Sequence, residues 1–362
     1  MNIRNLDNLG EKTIRGRGAT QNPDGRFLTS QRIAADDGWQ IEEEALPLRT
    51  QVTLEHPKTI LSKNTSPDLP FDRSINPYRG CEHGCVYCYA RPTHAYLDLS
   101  PGLDFESQLY AKPNAATLLQ KTLSHPGYSP APIAFGTNTD PYQPIEKTYR
   151  ITRELLELLV EVKHPFTITT KSDLVLRDMD LLRRAASENL TCVCLSVTSL
   201  DNRLSRRMEP RASAPHKRLA AIEKLSRAGI RVIVQMAPVI PAINDMEMEA
   251  VLKAARDAGA TQAVYIPIRL PLEVSDLFQG WLEEHYPDRA SKVMKLIRSM
   301  REGKDNDGNF GSRMSGSGPY AELIRSRFSK ICRDLGFKGR KYDLATDRFI
   351  RPSKPTDQFS LF

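Results

Sequence analysis

The chain has 362 residues, 40% hydrophobic and 26% charged, enough to bury one large core or two ordinary ones. Its 20 Gly and 25 Pro exclude collagen-like and low-complexity classes, and no apolar run reaches the roughly 18 residues of a membrane helix. The formal charge of +7 is uneven: residues 286–362 hold 17 Lys and Arg against 9 Asp and Glu, which points to a polyanionic partner, nucleic acid first, although a solvated helical face with a polar tail carries the same charge. The start, Met1-Asn2-Ile3-Arg4-Asn5-Leu6-Asp7, lacks the apolar stretch of a signal peptide and predicts a cytoplasmic protein. Residues 1–70 read as an irregular arm with a short strand near 50–55. A strand at 73–76 precedes Cys81-Glu82-His83-Gly84-Cys85-Val86-Tyr87-Cys88.

From residue 131 the pattern becomes regular. Apolar, β-branched runs at 133–137, 166–170, 191–198, 232–239 and 263–268 predict strands. Helical periodicity fills 152–162, 178–188, 215–228 and 246–258, with Gly229 and Gly259 placed to end two of those helices. Strands alternating with helices of this length mean βα units and a parallel sheet. With the strand at 73–76 there are six, which suits a partial barrel or an open doubly wound sheet. In either, ligands bind at the carboxyl ends of the strands. Helices are then expected at 276–285 and 289–301, a Gly/Asn/Ser-rich linker at 303–318, and a basic helix at 320–335 before a polar tail. The chain thus divides into an arm (1–70), an α/β core (71–272) and a basic helical extension (273–362).

Six cysteines this clustered do not make a disulfide framework. Cys81, Cys85 and Cys88 form C-x3-C-x2-C, Cys192 and Cys194 a pair, and Cys332 stands alone. Three thiolates on one loop hold a soft metal. Structural zinc wants a fourth ligand, for which His83 or His94 is at hand. A [4Fe–4S] cluster normally takes four cysteines, so three leave one iron open, a catalytic arrangement.

The C-x3-C-x-aromatic-C run followed by repeated βα units resembles the radical S-adenosylmethionine (SAM) superfamily. That resemblance, over roughly residues 70–272, implies a partial (β/α)6 barrel and a [4Fe–4S] cluster on Cys81, Cys85 and Cys88. It further implies that the open iron chelates SAM, that one electron from a flavodoxin- or ferredoxin-type donor cleaves the sulfonium, and that a 5′-deoxyadenosyl radical attacks the substrate. The stretch 136–146 (Gly-Thr-Asn-Thr-Asp-Pro-Tyr-Gln-Pro-Ile-Glu) and the continuation Cys88-Tyr89-Ala90-Arg91 are similar to the subgroup of spore photoproduct lyase and DNA repair photolyase-like proteins. Lyase chemistry in DNA repair is what that narrower likeness implies. Members carry a hydrogen-donating cysteine shortly after the cluster, whereas no cysteine lies between Cys88 and Cys192 here.

By the same resemblance Tyr87 lies near the SAM adenine. The loop with Thr137, Asn138 and Asp140 stands where the superfamily binds the methionine amino group, although its usual Gly-Gly-Glu is absent; an Asx-type turn before Pro141 is the plainer reading. Lys171 or Arg211 is placed to neutralise the methionine carboxylate, and Ser196 and Thr198 at a strand end to bond ribose hydroxyls. Gln235, polar in a buried run, either faces the ligand or is a satisfied core amide. Cys192 and Cys194 share one side of their strand, so Cys194 is a candidate hydrogen donor as well as an ordinary small hydrophobe. Arg203, Arg206, Arg207 and Arg211, with Arg325, Arg327, Lys330 and Arg333, are placed to grip phosphates. The expected activity is radical SAM chemistry on DNA or RNA, as a DNA-lesion lyase or a base modifier. A peptide, protein or small-metabolite substrate is the alternative, and a non-catalytic zinc or Fe–S nucleic-acid-binding protein the third reading.

Overall fold

Which side chains face helices and which face open space is settled strand by strand in the computed structural model, which describes residues 16–28, 48–339 and 343–353. Ten strands form two sheets: β1 (Gln51–Leu54), β2 (Leu61–Lys63), β3 (Arg73–Ile75), β4 (Tyr78–Arg79), β5 (Gln108–Ala111), β6 (Ile133–Phe135), β7 (Phe166–Thr170), β8 (Thr191–Ser196), β9 (Val232–Val239) and β10 (Gln262–Pro267). The larger sheet has the order β10-β9-β8-β7-β6-β3-β2. Its strands from β3 to β10 run parallel and are the six expected; β2 adds an antiparallel edge beside β3. Edges β10 and β2 do not pair among the described residues, so the α/β fold is an open, barrel-like sheet rather than a closed barrel.

Period-two alternation sorts the sheet into two unlike faces. Ile75, Ile133, Phe135, Phe166, Ile168, Val193, Leu195, Val232, Val234 and Met236 point one way and are almost wholly buried. They share one core with the apolar stripes of the helices Ile151–Glu161, Met179–Ser187, Pro215–Arg227 and Met248–Asp257. The opposite face, read from the register, carries Ser74, Ala134, Gly136, Thr167, Thr169, Cys192, Cys194, Ser196, Ile233, Gln235 and Val264. Apart from Ile233 and Val264, those side chains are small or polar, and Thr167, Thr169, Gln235 and Val264 keep partial exposure. Only helix-covered positions need bulk to fill a core; the bare face leaves room for a ligand.

A three-stranded sheet has the order β1-β5-β4 and delivers the chain from β4 directly into the cysteine loop. The strand expected near 50–55 is β1. The helices Val274–His285 and Pro287–Ser299 bury Phe278, Trp281, Leu282, Val293 and Ile297 against Val86, Tyr87, Leu204 and Met208, so they back the cysteine loop. Residues 303–317, expected as a linker, are instead a built crossing between the sheet edges. Buried Arg301 donates to the carbonyls of Pro267, Ile268, Ser312 and Arg313. Arg313 in turn grips both oxygens of Asp68, just after β2, at 2.6 Å. Composition alone reads as a linker there, because single long-range contacts leave no pattern in a sequence window. No helix among the described residues is long and apolar enough to cross a membrane.

Candidate active site

Cys81, Cys85 and Cys88 lie on the loop that leaves β4 at the carboxyl end of the neighbouring β3. Backbone bonds hold it from three sides: Cys81 N donates to Phe105 O (2.9 Å), Val86 N to Met208 O (3.1 Å), and Arg211 N to His83 O (3.3 Å). Gly84 has φ +66°, and a Cβ there would stand 2.6 Å from Glu106 Oε2, so this turn requires glycine. Arg91, fully buried, donates from Nε to Cys85 O (2.9 Å) and pairs with the buried Glu106 carboxylate. The same carboxylate accepts from Gly18 N (2.9 Å) and Ala19 N (2.8 Å). Part of the expected N-terminal arm is therefore a strap beneath the cysteine loop; residues 1–15 and 29–47 lie outside the described residues.

The donor set fits a cluster with one open iron. No histidine joins the three cysteines in a donor group for a single metal ion among the described residues; His83 Nδ1 faces Asp140 Oδ2 at 3.3 Å and His94 Nε2 lies 2.9 Å from Gln108 O, while His94 Nδ1 is buried without a hydrogen-bond partner. No three His, Cys, Asp or Glu donors among the described residues converge on one metal ion. Thiols that each serve a different iron need no such single point. Burial pushes all three thiols up, most at Cys81, where Asp140 adds to it. Lys171 works the other way at Cys85 and Cys88.

A carboxylate that sequence reasoning missed organises the adjoining wall. Glu209, fully buried, accepts from the Tyr87 hydroxyl, from Thr198 Oγ1 (2.9 Å) and from the Arg218 guanidinium. Burial would raise its pKa, yet Arg218, Lys171 and these hydrogen bonds hold it below the usual carboxylate range. Arg218, also buried, donates to Ser196 O (3.2 Å) and Ser213 O (2.6 Å), tying Glu209 to the end of β8. The available signal was a lone acid followed by Pro210 at the end of a short helix beyond β8, the strand-end position where ligand groups gather. Thr198, expected at a ribose, thus spends its hydroxyl on Glu209, because a buried carboxylate needs every donor in reach.

The other expected residues divide into fasteners and open groups. Asp140 accepts from Thr170 Oγ1 (2.7 Å), Lys171 N (2.7 Å) and Tyr142 N (2.8 Å), which makes it the pin of its loop rather than an open acceptor for an amine. Burial opposes its charge, but His83 and these donors hold its pKa below the usual range. Thr137 exchanges hydrogen bonds with Asn76 and takes the Tyr89 hydroxyl on its carbonyl, leaving Asn138 as the exposed side chain of the three. Gly136 has φ +84° with Thr169 O only 2.1 Å from a would-be Cβ, so this loop is pressed onto β7. Arg211 is paired with Glu82 at 2.8 Å. Lys171 has no ion pair among the described residues; its ammonium lies 5.9 Å from the Tyr87 ring centre. Ser196 and Gln235 are register neighbours on the bare face, and their side chains have no protein partner among the described residues. Cys194 shares that face with Cys192, Ile233 and Val264.

Of the expected phosphate grips, Arg327 is consumed by Glu249 (2.7 and 2.9 Å) and Arg325 by Glu322. Arg207 lies over the Tyr286 ring, whereas Arg203 and Arg206 are exposed without ion pairs among the described residues. Of Arg325, Arg327, Lys330 and Arg333 on the late helix, only Arg327 ties to another element; Arg325 pairs within the helix, and Lys330 and Arg333 are exposed.

The family model "Radical SAM superfamily" matches residues 75–255. An uncharacterized protein of Mycobacterium tuberculosis is 34% identical over 295 residues, covering 81% of this chain and 80% of its own length. One of Methanocaldococcus jannaschii is 30% identical over 214 residues, 59% of this chain and 76% of that one. Among solved structures, spore photoproduct lyase complexed with dinucleoside spore photoproduct shares the fold with a TM-score of 0.56 at 16% identity, covering 79% of this chain and 80% of that one. With the cysteine loop at the strand ends and these matches, the chain belongs to the radical SAM superfamily.

Proposed function

We propose that this chain is a radical SAM enzyme acting on DNA or RNA, as a lesion lyase or a base modifier. The observation that carries the chemistry is three cysteines on one loop at the strand ends, joined by no further donor among the described residues, beside a sheet face of mostly small or polar side chains. Bound at Cys81, Cys85 and Cys88, a [4Fe–4S] cluster supplied with an electron by a flavodoxin- or ferredoxin-type donor would provide reductive cleavage of SAM.

The chain's own residues then bind and orient. Lys171, the cation left without an ion pair, suits the methionine carboxylate better than Arg211, which Glu82 holds. Ser196 and Gln235 offer neighbouring polar groups for the ribose. Tyr87 is fixed by Glu209 and stiffens the wall beside the adenine. Asn138 keeps a free amide for the amino group. Cys194, on the bare face two residues before Ser196, is placed as a hydrogen donor to a substrate.

For the substrate, support comes from the fold shared with a spore photoproduct lyase solved with a dinucleoside photoproduct, and from the unpaired Arg203 and Arg206. The test is anaerobic turnover with SAM and dithionite in the presence of DNA, RNA or a peptide mixture. Nucleic acid should raise the yield of 5′-deoxyadenosine. A rise with peptides alone would contradict the substrate assignment.

A further inference from the structure

The richest group of charges that this reading leaves unused lies at the seam between the sheet edges, on the same end as the cysteines. Arg269 follows β10 by two residues, and its guanidinium is half-buried. It has no carboxylate partner among the described residues. Its Nε is buried without any hydrogen-bond partner, and Nη1 reaches only the Met314 sulfur at 3.6 Å, a weak acceptor. The nearest carboxylates are already committed: Asp68 to Arg313, and Asp307 to the Ser312 hydroxyl and Asn309 N. Arg301, next to it, likewise lacks an acid and has an unpartnered Nε. Burial and the neighbouring Arg313 charge both lower the Arg269 pKa, the mark of a cation short of an anion.

One exposed ring faces the Arg269 guanidinium, and another covers the neighbouring Arg313. Tyr89, 49% exposed, has its ring centre 5.7 Å from the Arg269 guanidinium, and its hydroxyl is fixed to Thr137 O beyond β6. Phe310, 58% exposed, lies over Arg313 with 4.6 Å between ring centre and guanidinium. A monomer surface gains nothing by exposing two aromatic rings beside an unsatisfied arginine. Single-stranded nucleic acid needs this combination, a cation for the phosphodiester and ring faces for the adjoining bases.

We infer that Arg269 binds a backbone phosphate of the nucleic-acid substrate at the mouth of the site, while Tyr89 beside it and Phe310 over the neighbouring Arg313 stack the adjoining bases. This inference rests on the nucleic-acid reading above and names where the strand enters. It differs from the sequence expectation, which placed the phosphate grips on the helices after β8 and near the carboxyl terminus.

The test uses the full-length chain and a short dye-labelled single-stranded oligodeoxynucleotide, with binding followed by fluorescence anisotropy over a range of salt. Arg269→Gln should weaken binding by roughly tenfold to a hundredfold, as loss of a charged hydrogen bond does. It should also reduce the slope of log affinity against log salt by about 0.7 for one lost phosphate contact. Phe310→Ala should weaken binding by roughly fivefold to a hundredfold with the salt slope unchanged. Wild-type binding that both variants retain in full, with the same slope, overturns this site and leaves the nucleic-acid reading standing. No wild-type binding even at low salt overturns the nucleic-acid reading and this site with it. If thermal melting shows that Arg269→Gln does not fold, Phe310→Ala on its exposed loop decides the matter.

Discussion

The two faces of the parallel sheet are built from alternate residues of the same strands, yet they follow opposite rules. On the helix-covered side Phe166, Ile168, Val193 and Leu195 are buried without remainder in the main core. On the other side Thr167, Thr169, Cys194 and Ser196 are small, and Thr167 and Thr169 keep partial exposure. The contrast teaches that one strand can supply stability at one set of alternate positions and ligand room at the other. Substitutions should therefore separate cleanly by parity.

The largest difference is expected from Phe166→Ala against Thr169→Ala. The first removes a buried ring from the core and should cost about 3–5 kcal/mol, whereas the second should stay within about 0.5 kcal/mol. Equal losses in urea titrations would erase the distinction between the faces.

At the junction of the faces, Glu209→Ala should also be costly, because it leaves Arg218 buried without its carboxylate. Breaking one side of a buried pair costs roughly 3–5 kcal/mol. Glu209→Gln, which keeps hydrogen bonds to Tyr87 and Thr198, should recover part of that. Identical stability of the two variants would show that packing, not the pair, holds this wall.

Beneath the covered face, His164 sits between Tyr128 and Phe349, with Nδ1 near Pro165 O and Nε2 near the Tyr128 hydroxyl. Burial lowers its pKa to about 4 from an ordinary 6.5. The unfolded chain therefore binds the proton first as pH falls. His164 costs stability progressively below pH 6.5, up to about 3 kcal/mol by pH 4. His164→Gln should be less sensitive over that window by this amount; parallel stability curves for the two proteins would show that His164 does not titrate as described.

The smallest stability effects belong to the bare face. Ser196→Ala and Gln235→Leu should change stability by under about 1 kcal/mol while weakening SAM binding by roughly twofold to tenfold each. A SAM affinity unchanged in both, measured by calorimetry on the cluster-loaded protein, would remove these residues from the ligand wall.

Much of this was legible in the sequence because it is local. The six parallel strands and the helices between them follow from runs and periods within windows of a dozen residues, and the cysteine loop from spacing alone. What stayed hidden depends on residues far apart. Glu106 joins Arg91 to the strap at Gly18 and Ala19, some 88 positions away, and Arg313 reaches Asp68 across 245. No pattern marks which acid of many meets which arginine. The short strands β4 and β5 are stabilised by pairing rather than by an apolar run of their own. Thr137, Thr198 and Asp140 had the right chemistry for a ligand, but the loops they sit on consume it. Glu209 was overlooked because an acid outside a recognised motif reads as a surface charge until its burial is known.

The central claim is that three cysteines at the end of the bare face carry a cluster that activates SAM there. The most direct measurement is anaerobic reconstitution with iron and sulfide, then SAM and dithionite, with chromatography for 5′-deoxyadenosine and Cys85→Ala as the control. The account predicts 5′-deoxyadenosine from the wild-type protein and none from the variant. A protein that retains zinc and assembles no cluster, or a fully loaded cluster that neither binds nor cleaves SAM, would contradict it.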